Sequence, residues 1–228
     1  DDKFALRLAG NLNKRDGYVK DQKLKQDLNS RDRWAIRGQA LWTPTDKIEM
    51  RLIADVSKKE DVCCAAPYVL NGPRATTIAA LGGTVFNPTR ENDFLTATNI
   101  APTSTVDDKG ISLELNWDLG WAQLRGLASS RVFESLRNAD GDFSDIDLTN
   151  SLNELSKDET NTFEVTLRGA AGPVDWLVGA FHFDQDFIQS SSVVLGADAG
   201  RYQAAIGARP AIVSLYAAGD GDQLRRFD

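Results

Sequence analysis

The stretch Gly110-Ile-Ser-Leu-Glu-Leu-Asn-Trp-Asp-Leu119 sets how the rest of the chain is read. Ile111, Leu113, Leu115, Trp117 and Leu119 are apolar, and Ser112, Glu114, Asn116 and Asp118 lie between them. A period of two places each set on one face of a strand, whereas a helix would scatter both sets around its circumference. Working outward, the same alternation marks four more strands. Phe4, Leu6, Leu8 and Leu12 oppose Arg7, Asn11 and Asn13 in Phe4–Asn13. Trp34, Ile36, Gly38, Ala40 and Trp42 oppose Arg33, Arg37 and Gln39 in Arg33–Trp42. Ile48, Met50, Leu52, Ala54 and Val56 oppose Glu49, Arg51, Asp55 and Ser57 in Lys47–Ser57. Phe163, Val165 and Leu167 oppose Glu164, Thr166 and Arg168 in Thr162–Gly169. Trp121–Val132 alternates loosely, and Trp176–Phe183 is apolar on both faces, which leaves its register open.

Tight and long connections take turns along the chain. Thr43-Pro-Thr-Asp46, Asp118-Leu-Gly120 and Ala170-Ala-Gly-Pro-Val-Asp175 carry the proline, glycine and aspartate of short turns. Long polar connections cover roughly Lys14–Ser30, Lys58–Lys109, Glu134–Asn161 and everything after Ser190. This order predicts an up-and-down antiparallel sheet with every tight turn at one end and every long loop at the other. Outer-membrane β-barrels are built in that way, from strands of about 10 residues with one apolar face. Trp42, Trp117, Trp121 and Trp176 flank the short turns, and Trp34 lies near the other end of its strand, where interfacial aromatic girdles sit. A soluble β-sandwich also alternates its faces, but a connection of about fifty residues such as Lys58–Lys109 is foreign to it. Arg7, Arg37, Glu49, Arg51, Asp55, Glu114, Glu164 and Arg168 sit mid-strand, where charges need water or partners, and a wide barrel lumen offers both. The expected class is all-β: an antiparallel up-and-down transmembrane β-barrel segment with short periplasmic turns and long extracellular loops.

Composition removes several other classes. The 228 residues carry 33 acidic and 26 basic side chains, a net charge of −7, which supplies no basic field for a nucleic acid. No run approaches the ~18 apolar residues of a membrane-spanning helix, which says nothing against strands. The two cysteines, Cys63 and Cys64, are adjacent and cannot cross-link a framework. A single histidine, His182, leaves little for a catalytic triad or a histidine-rich metal site, so neither a cofactor nor a metal is expected. The start, Asp1-Asp-Lys-Phe4, lacks the features of a secretory signal, and the end, Leu224-Arg-Arg-Phe-Asp228, lacks a terminating signal. A segment of a longer polypeptide is expected.

Leu6-Arg-Leu-Ala-Gly-Asn-Leu-Asn-Lys-Arg-Asp-Gly-Tyr18 resembles a strand and loop start of bacterial TonB-dependent receptors. Arg31-Asp-Arg-Trp-Ala-Ile-Arg-Gly-Gln39 with Leu41-Trp-Thr-Pro-Thr-Asp46 is similar to the next hairpin of that family. Val62-Cys-Cys64, Asn99-Ile-Ala-Pro102, Ser112-Leu-Glu-Leu-Asn-Trp-Asp-Leu-Gly120 and Asp175-Trp-Leu-Val-Gly-Ala-Phe-His-Phe-Asp-Gln185 continue the likeness in order, which fades in the loops and after about Gln189. The resemblance implies that residues 1–228 are part of the barrel domain, about seven consecutive strands of a barrel of about 22. The plug domain, the TonB box and the C-terminal strands would lie outside it. It also implies uptake of a scarce nutrient across the bacterial outer membrane, such as a siderophore-iron complex, haem, a vitamin or an oligosaccharide, with no enzymatic reaction. The implied partners are outer-membrane lipid, the receptor's own plug domain, TonB and the small-molecule nutrient. A passive porin-like barrel is the runner-up, and an outer-membrane barrel hydrolase is the rival from another class.

Loop residues are the candidates for ligand contact. Tyr18, Tyr68, Phe86 and Phe94 suit stacking on flat or sugar-like groups, and Arg74 and Arg90 suit an anionic chelate, although surface loops carry such residues in any case. Cys63-Cys64 opens the longest loop and reads as a vicinal disulfide near ligand, as a local staple, or as a reduced pair. Asp140-Gly-Asp-Phe-Ser-Asp-Ile-Asp147 spaces oxygen ligands at alternate positions, as a calcium loop does. It lacks the glycine placement and closing glutamate of an EF-hand, so a solvated acidic loop is expected. His182, between Phe181 and Phe183 with no serine near it in the expected hairpin, reads as an ordinary strand residue.

Overall fold

Every alternating segment falls, to within one residue at its ends, in a strand of the computed structural model, which describes residues 3–218 and 225–226. The terminal residues Asp1, Asp2, Leu224, Phe227 and Asp228 lie outside the described residues. In chain order the elements are β1 (Phe4–Arg15), β2 (Val19–Asp21), β3 (Gln26–Leu28), β4 (Arg31–Thr45) and β5 (Ile48–Asp61). Helix α1 (Pro73–Ala80), a 3-10 turn (Arg90–Asn92) and β6 (Leu95–Thr96) follow. Then come β7 (Thr103–Asp118), β8 (Ala122–Asp140), β9 (Thr149–Ala171), β10 (Val174–Leu195), α2 (Ala199–Ala205), α3 (Pro210–Ala218) and β11 (Arg225–Arg226).

The fold is all-β. Strands β1, β4, β5, β7, β8, β9, β10 and β11 form one sheet in that order, and each neighbouring pair is antiparallel. The tight turns at residues 46–47, 119–121 and 172–173 all lie at one end. Gly120 and Gly172 adopt φ of 85° and 61°, the left-handed region that a Cβ disfavours. Pro44 is not in the turn proper but in β4, beside a register shift between Trp42 and Thr45, where a missing ladder N–H is tolerated. The sheet is open: among the described residues β1 pairs only with β4, and the two ends of the sheet do not pair with each other.

Most strands run further than alternation predicts: β7 begins at Thr103 and β5 continues to Asp61, so the expected connection Lys58–Lys109 shrinks to residues 62–102. β8, β9 and β10 have 19, 23 and 22 residues, so the expected loop Glu134–Asn161 shrinks to residues 141–148. Much of this added length is polar on both faces, as in Thr149-Asn-Ser-Leu-Asn-Glu-Leu-Ser-Lys-Asp-Glu-Thr-Asn161. Backbone hydrogen bonds carry the ladder on, with little apolar contrast to reveal it.

The remaining long connections fold into a cap at the other end of the sheet. β2, β3 and β6 make a three-stranded sheet, with β6 parallel to β2. Ile78, Ile146 and Leu148 form a small core packed by Leu81, Val85 and Tyr202. Val19 and Leu28 are also buried. The large sheet has no such core. It is a single layer, with no second sheet or helix packed over it among the described residues. Leu6 and Leu8 are 73% and 78% exposed, and Leu113 is 40% exposed in the middle of the sheet.

Candidate functional site

Cross-strand register sorts the large sheet into two chemically distinct faces. On one face Ala40, Leu52, Leu113, Ala128, Phe163 and His182 follow one another from strand to strand. Leu6, Leu8, Ile36 and Val178 share it by alternation. Trp42, Trp117 and Trp176 lie on this face near the tight turns, and Trp176 stacks on Trp121 with ring centroids 6.2 Å apart. Trp176 lies over Gly169, its cross-strand partner, where a Cβ would stand 2.5 Å from the indole ring. His182 therefore sits among apolar strand residues opposite Phe163.

The opposite face carries all eight mid-strand charged candidates, Arg7, Arg37, Glu49, Arg51, Asp55, Glu114, Glu164 and Arg168. Several are tied across strands. Glu114 accepts from Arg51 at 2.7 Å and from Arg125 at 3.0 Å. Arg131 donates to Asp108 at 2.6 Å and reaches over Gly110 to Asp55 at 2.9 Å. Arg168 donates through Nε to Gln123 at 2.8 Å. Near the tight turns this face forms a groove of about 1210 Å³ lined by Lys47, Glu49, Asn116, Arg125, Glu164 and Arg168 among others. Arg125 and Arg131 were not singled out in the sequence, because β8 alternates loosely. Their signal is register, which sets them in the rows of Asn116 and Gly110.

β10 departs from this division. The register left open by its sequence is set by β9, which puts Leu177, Phe181, Phe183 and Phe187 on the charged face beside Arg168, Glu164, Thr162 and Asp158. Phe181 and Phe183 stack with centroids 6.3 Å apart.

In the cap, the loop candidates gather only in part. Tyr18 meets Phe94 edge-to-face at 5.8 Å, and the guanidinium of Arg15 lies 5.0 Å from the Tyr18 ring centroid. Tyr68 is half-buried elsewhere in the cap, and burial together with the charges of Asp145, Asp142 and Asp140 raises its phenol above the ordinary range. Phe86 is half-buried and its carbonyl accepts from Asn71. Arg74 and Arg90 are exposed, and neither forms an ion pair among the described residues. The six candidates thus do not converge on one pocket. Cys63 and Cys64 form a vicinal disulfide across a cis peptide bond. The pair is anchored locally: Cys63 donates to the Pro102 carbonyl, and Ala65 donates to the Asn29 side chain.

The acidic turn is only partly solvated, with Asp142, Asp145 and Asp147 half-buried. Asp140 is 2% exposed and Ser144 is fully buried. Its carboxylates cap backbone N–H groups: Asp140 accepts from Asp142 and Phe143, Asp142 from Leu148 and Thr149, and Asp145 from Thr84. Asp147 accepts from Ala197 and from the side chains of Asn99 and Asn150. Acidic side chains here serve as staples between loops because each one satisfies donors that burial would otherwise orphan. Burial, and then repulsion from Asp142, pushes the Asp140 carboxyl up to about 6 against the pull of its backbone donors. Burial likewise raises Asp142. Among the described residues no three carboxylate, imidazole or thiol groups converge as a metal cluster.

Against known proteins, the chain matches no protein family, no curated protein and no solved structure.

Proposed function

We propose that this chain is part of the barrel wall of a TonB-dependent outer-membrane receptor, which takes up a scarce nutrient through a lumen lined by the charged face. The observation that carries the reading is the continuous apolar face that none of the described residues covers. Covering a large aliphatic or aromatic side chain contributes roughly 1.5–3 kcal/mol. Leu6, Leu8, Ile36, Leu52, Leu113, Phe163 and Val178 are between 40% and 78% exposed and together therefore represent roughly 6–12 kcal/mol, comparable to the whole stability of a typical domain at about 5–15 kcal/mol. Lipid supplies the missing cover. Trp34 and Trp42 stand on the same face of β4, about 26 Å apart along the strand at ~3.3 Å per residue. At a tilt of about 45° that is a height of roughly 20 Å, close to the apolar band of about 25 Å between aromatic girdles.

The charged face supports the lumen assignment, since cross-strand ion pairs such as Arg51–Glu114–Arg125 belong in water rather than in hydrocarbon. The open edge of β1, and that of β10 outside its pairing with β11 at Ser192 and Val193, support a wall completed by further strands, because unpaired backbone is not stable in lipid. The choice of a TonB-dependent receptor over other barrels rests on the sequence resemblance. The direct test is expression of the whole protein with its flanking sequence, followed by fractionation and nutrient-uptake assays in cells with and without TonB. Outer-membrane location with TonB-dependent uptake is expected. Uptake that persists without TonB makes the protein a passive porin, and partition into the aqueous phase without detergent overturns the barrel itself.

A further inference from the structure

We infer that Arg7, Arg37, Arg31 and Arg15 form a track for a small polycarboxylate on the charged face of β1 and β4. By alternation that face of the two strands carries five arginines, Arg7, Arg15, Arg31, Arg33 and Arg37, and no carboxylate. The chain as a whole has a net charge of −7. The next two strands reverse the balance: β5 and β7 set Glu49, Asp55, Asp61, Asp108, Glu114 and Asp118 on the same face, against Arg51 and Lys59.

Most of those carboxylates are already held. Arg33 donates through Nε to Asp61 at 3.0 Å, and Glu114 and Asp108 hold Arg51, Arg125 and Arg131. Asp55 stands directly opposite Arg37 but accepts from Arg131. Glu49 and Asp118 lie nearer the tight turns than the row of Arg7, Gln39 and Ile53. Arg7, Arg31 and Arg37 are exposed and form no ion pair among the described residues. Arg15 donates to the Asn29 carbonyl and lies over Tyr18. Arg15 and Arg31 are direct cross-strand partners, and like charges so placed are destabilising. The two strands therefore hold guanidinium in excess, and an anion would offset it.

A guanidinium group binds carboxylate and phosphate oxygens in pairs, through a planar fork of N–H donors. Spacing separates the two ligands here. Arg7 and Arg37 are diagonal neighbours, about 7–8 Å apart at the backbone, and so are Arg15 and Arg33. From Arg7 to Arg15 the column rises about 26 Å toward the cap, at ~3.3 Å per residue. Several carboxylates on a short carbon skeleton reach successive arginines at once, whereas a single compact phosphate does not. Asn11, Asn13 and Gln39, interspersed along the column, add neutral donors. The inference rests on the lumen reading above and names the class of nutrient that such a wall would guide inward from the cap.

The test is calorimetric titration of the purified full-length protein in detergent with propane-1,2,3-tricarboxylate, with inorganic phosphate and raffinose in parallel. Saturable tricarboxylate binding is expected, about tenfold or more tighter than phosphate, with none for the neutral sugar. It should weaken as sodium chloride is raised from ~0.05 to ~0.3 M. Arg7→Gln and Arg31→Gln are each expected to weaken it about three- to tenfold. Lys23→Gln, which removes an exposed cation of the cap, should leave it unchanged. Absence of tricarboxylate binding by the folded protein overturns the track. Binding that both arginine variants leave unchanged, or that Lys23→Gln weakens equally, overturns it as well. Phosphate bound as tightly as the tricarboxylate overturns the choice of ligand. The receptor reading is tested separately: TonB-dependent uptake without tricarboxylate binding overturns only the track, and tricarboxylate binding by a protein outside the outer membrane overturns only the receptor.

Discussion

The large sheet and the cap stabilise the same chain by opposite means. The sheet buries little of its own apolar surface: β1 is exposed along its whole length, and among the described residues nothing packs over the apolar face of β4–β10. The cap closes on itself. Val19, Leu28, Ile78, Ile146 and Leu148 are buried there, and Asp21 and Asp140 are turned inward onto backbone donors. Asp21 alone accepts from Lys23, Leu24 and both the N–H and hydroxyl of Thr98. The contrast separates an apolar sheet face left uncovered among the described residues from a region that folds like the interior of a water-soluble protein.

The largest effect that would break this comparison is loss of the external phase. Removal of detergent or lipid from the full-length protein is expected to precipitate it, with hydrogen exchange rising in β4–β10 before the cap opens; a soluble monomer under light scattering would dissolve the distinction. Next is Leu28→Ala in the cap, at a fully buried position. A loss of about 2–5 kcal/mol is expected, seen as faster exchange around β2 and β3 with the sheet unchanged. Leu113→Arg, mid-height on the apolar face, is expected to cost roughly 2–4 kcal/mol in a lipid-refolding titration, whereas Ser112→Arg on the neighbouring charged row should cost far less. Equal costs at the two positions would show that the faces do not differ.

Acid should divide the regions more gently. The Asp140 carboxyl, near 6 when folded and near 3.9 when unfolded, binds more protons in the folded state between those values. Its contribution to cap stability is therefore fullest below about pH 4 and is lost as pH rises through about 6. Asp140→Asn is expected to flatten that part of the pH profile in thermal melts followed across pH 4–7. The smallest effect is expected from Arg131→Ala, which breaks two ion pairs at a half-exposed side chain and should cost under about 1 kcal/mol, less in high salt. A larger, salt-independent loss would mean that the charged face is drier than a lumen.

Much of the sheet was readable in advance and much of the cap was not. Leu113 and Glu114 disclose opposite faces because adjacent strand residues must point apart, and no distant partner is needed to see it. Even so, the criterion stopped at about Val132 in β8 and did not start until Thr162 in β9, since polar-on-polar strands carry no contrast. The burial of Asp140 and Ser144 in the acidic turn is not legible in the sequence, because the turn's partners come from far along the chain. Asn99 is 48 residues from Asp147, and Thr84 is 61 from Asp145. The ligand candidates Tyr18 and Phe94 meet through the parallel pairing of β2 with β6, which neither segment announces.

By itself the amino-acid order determined which segments are strands, which side of each is oily, and that tight turns and long loops alternate. Those properties depend on neighbours one and two positions away, and on the fixed pleat of an extended backbone. Tertiary structure alone decided the register that turns Phe181 and Phe183 toward the charged face, the length of the upper ladder, and the burial of Asp140 against Asn150. These are settled by which strand lies alongside and by where buried donors and acceptors find partners, and both are contacts between residues that the chain order holds apart.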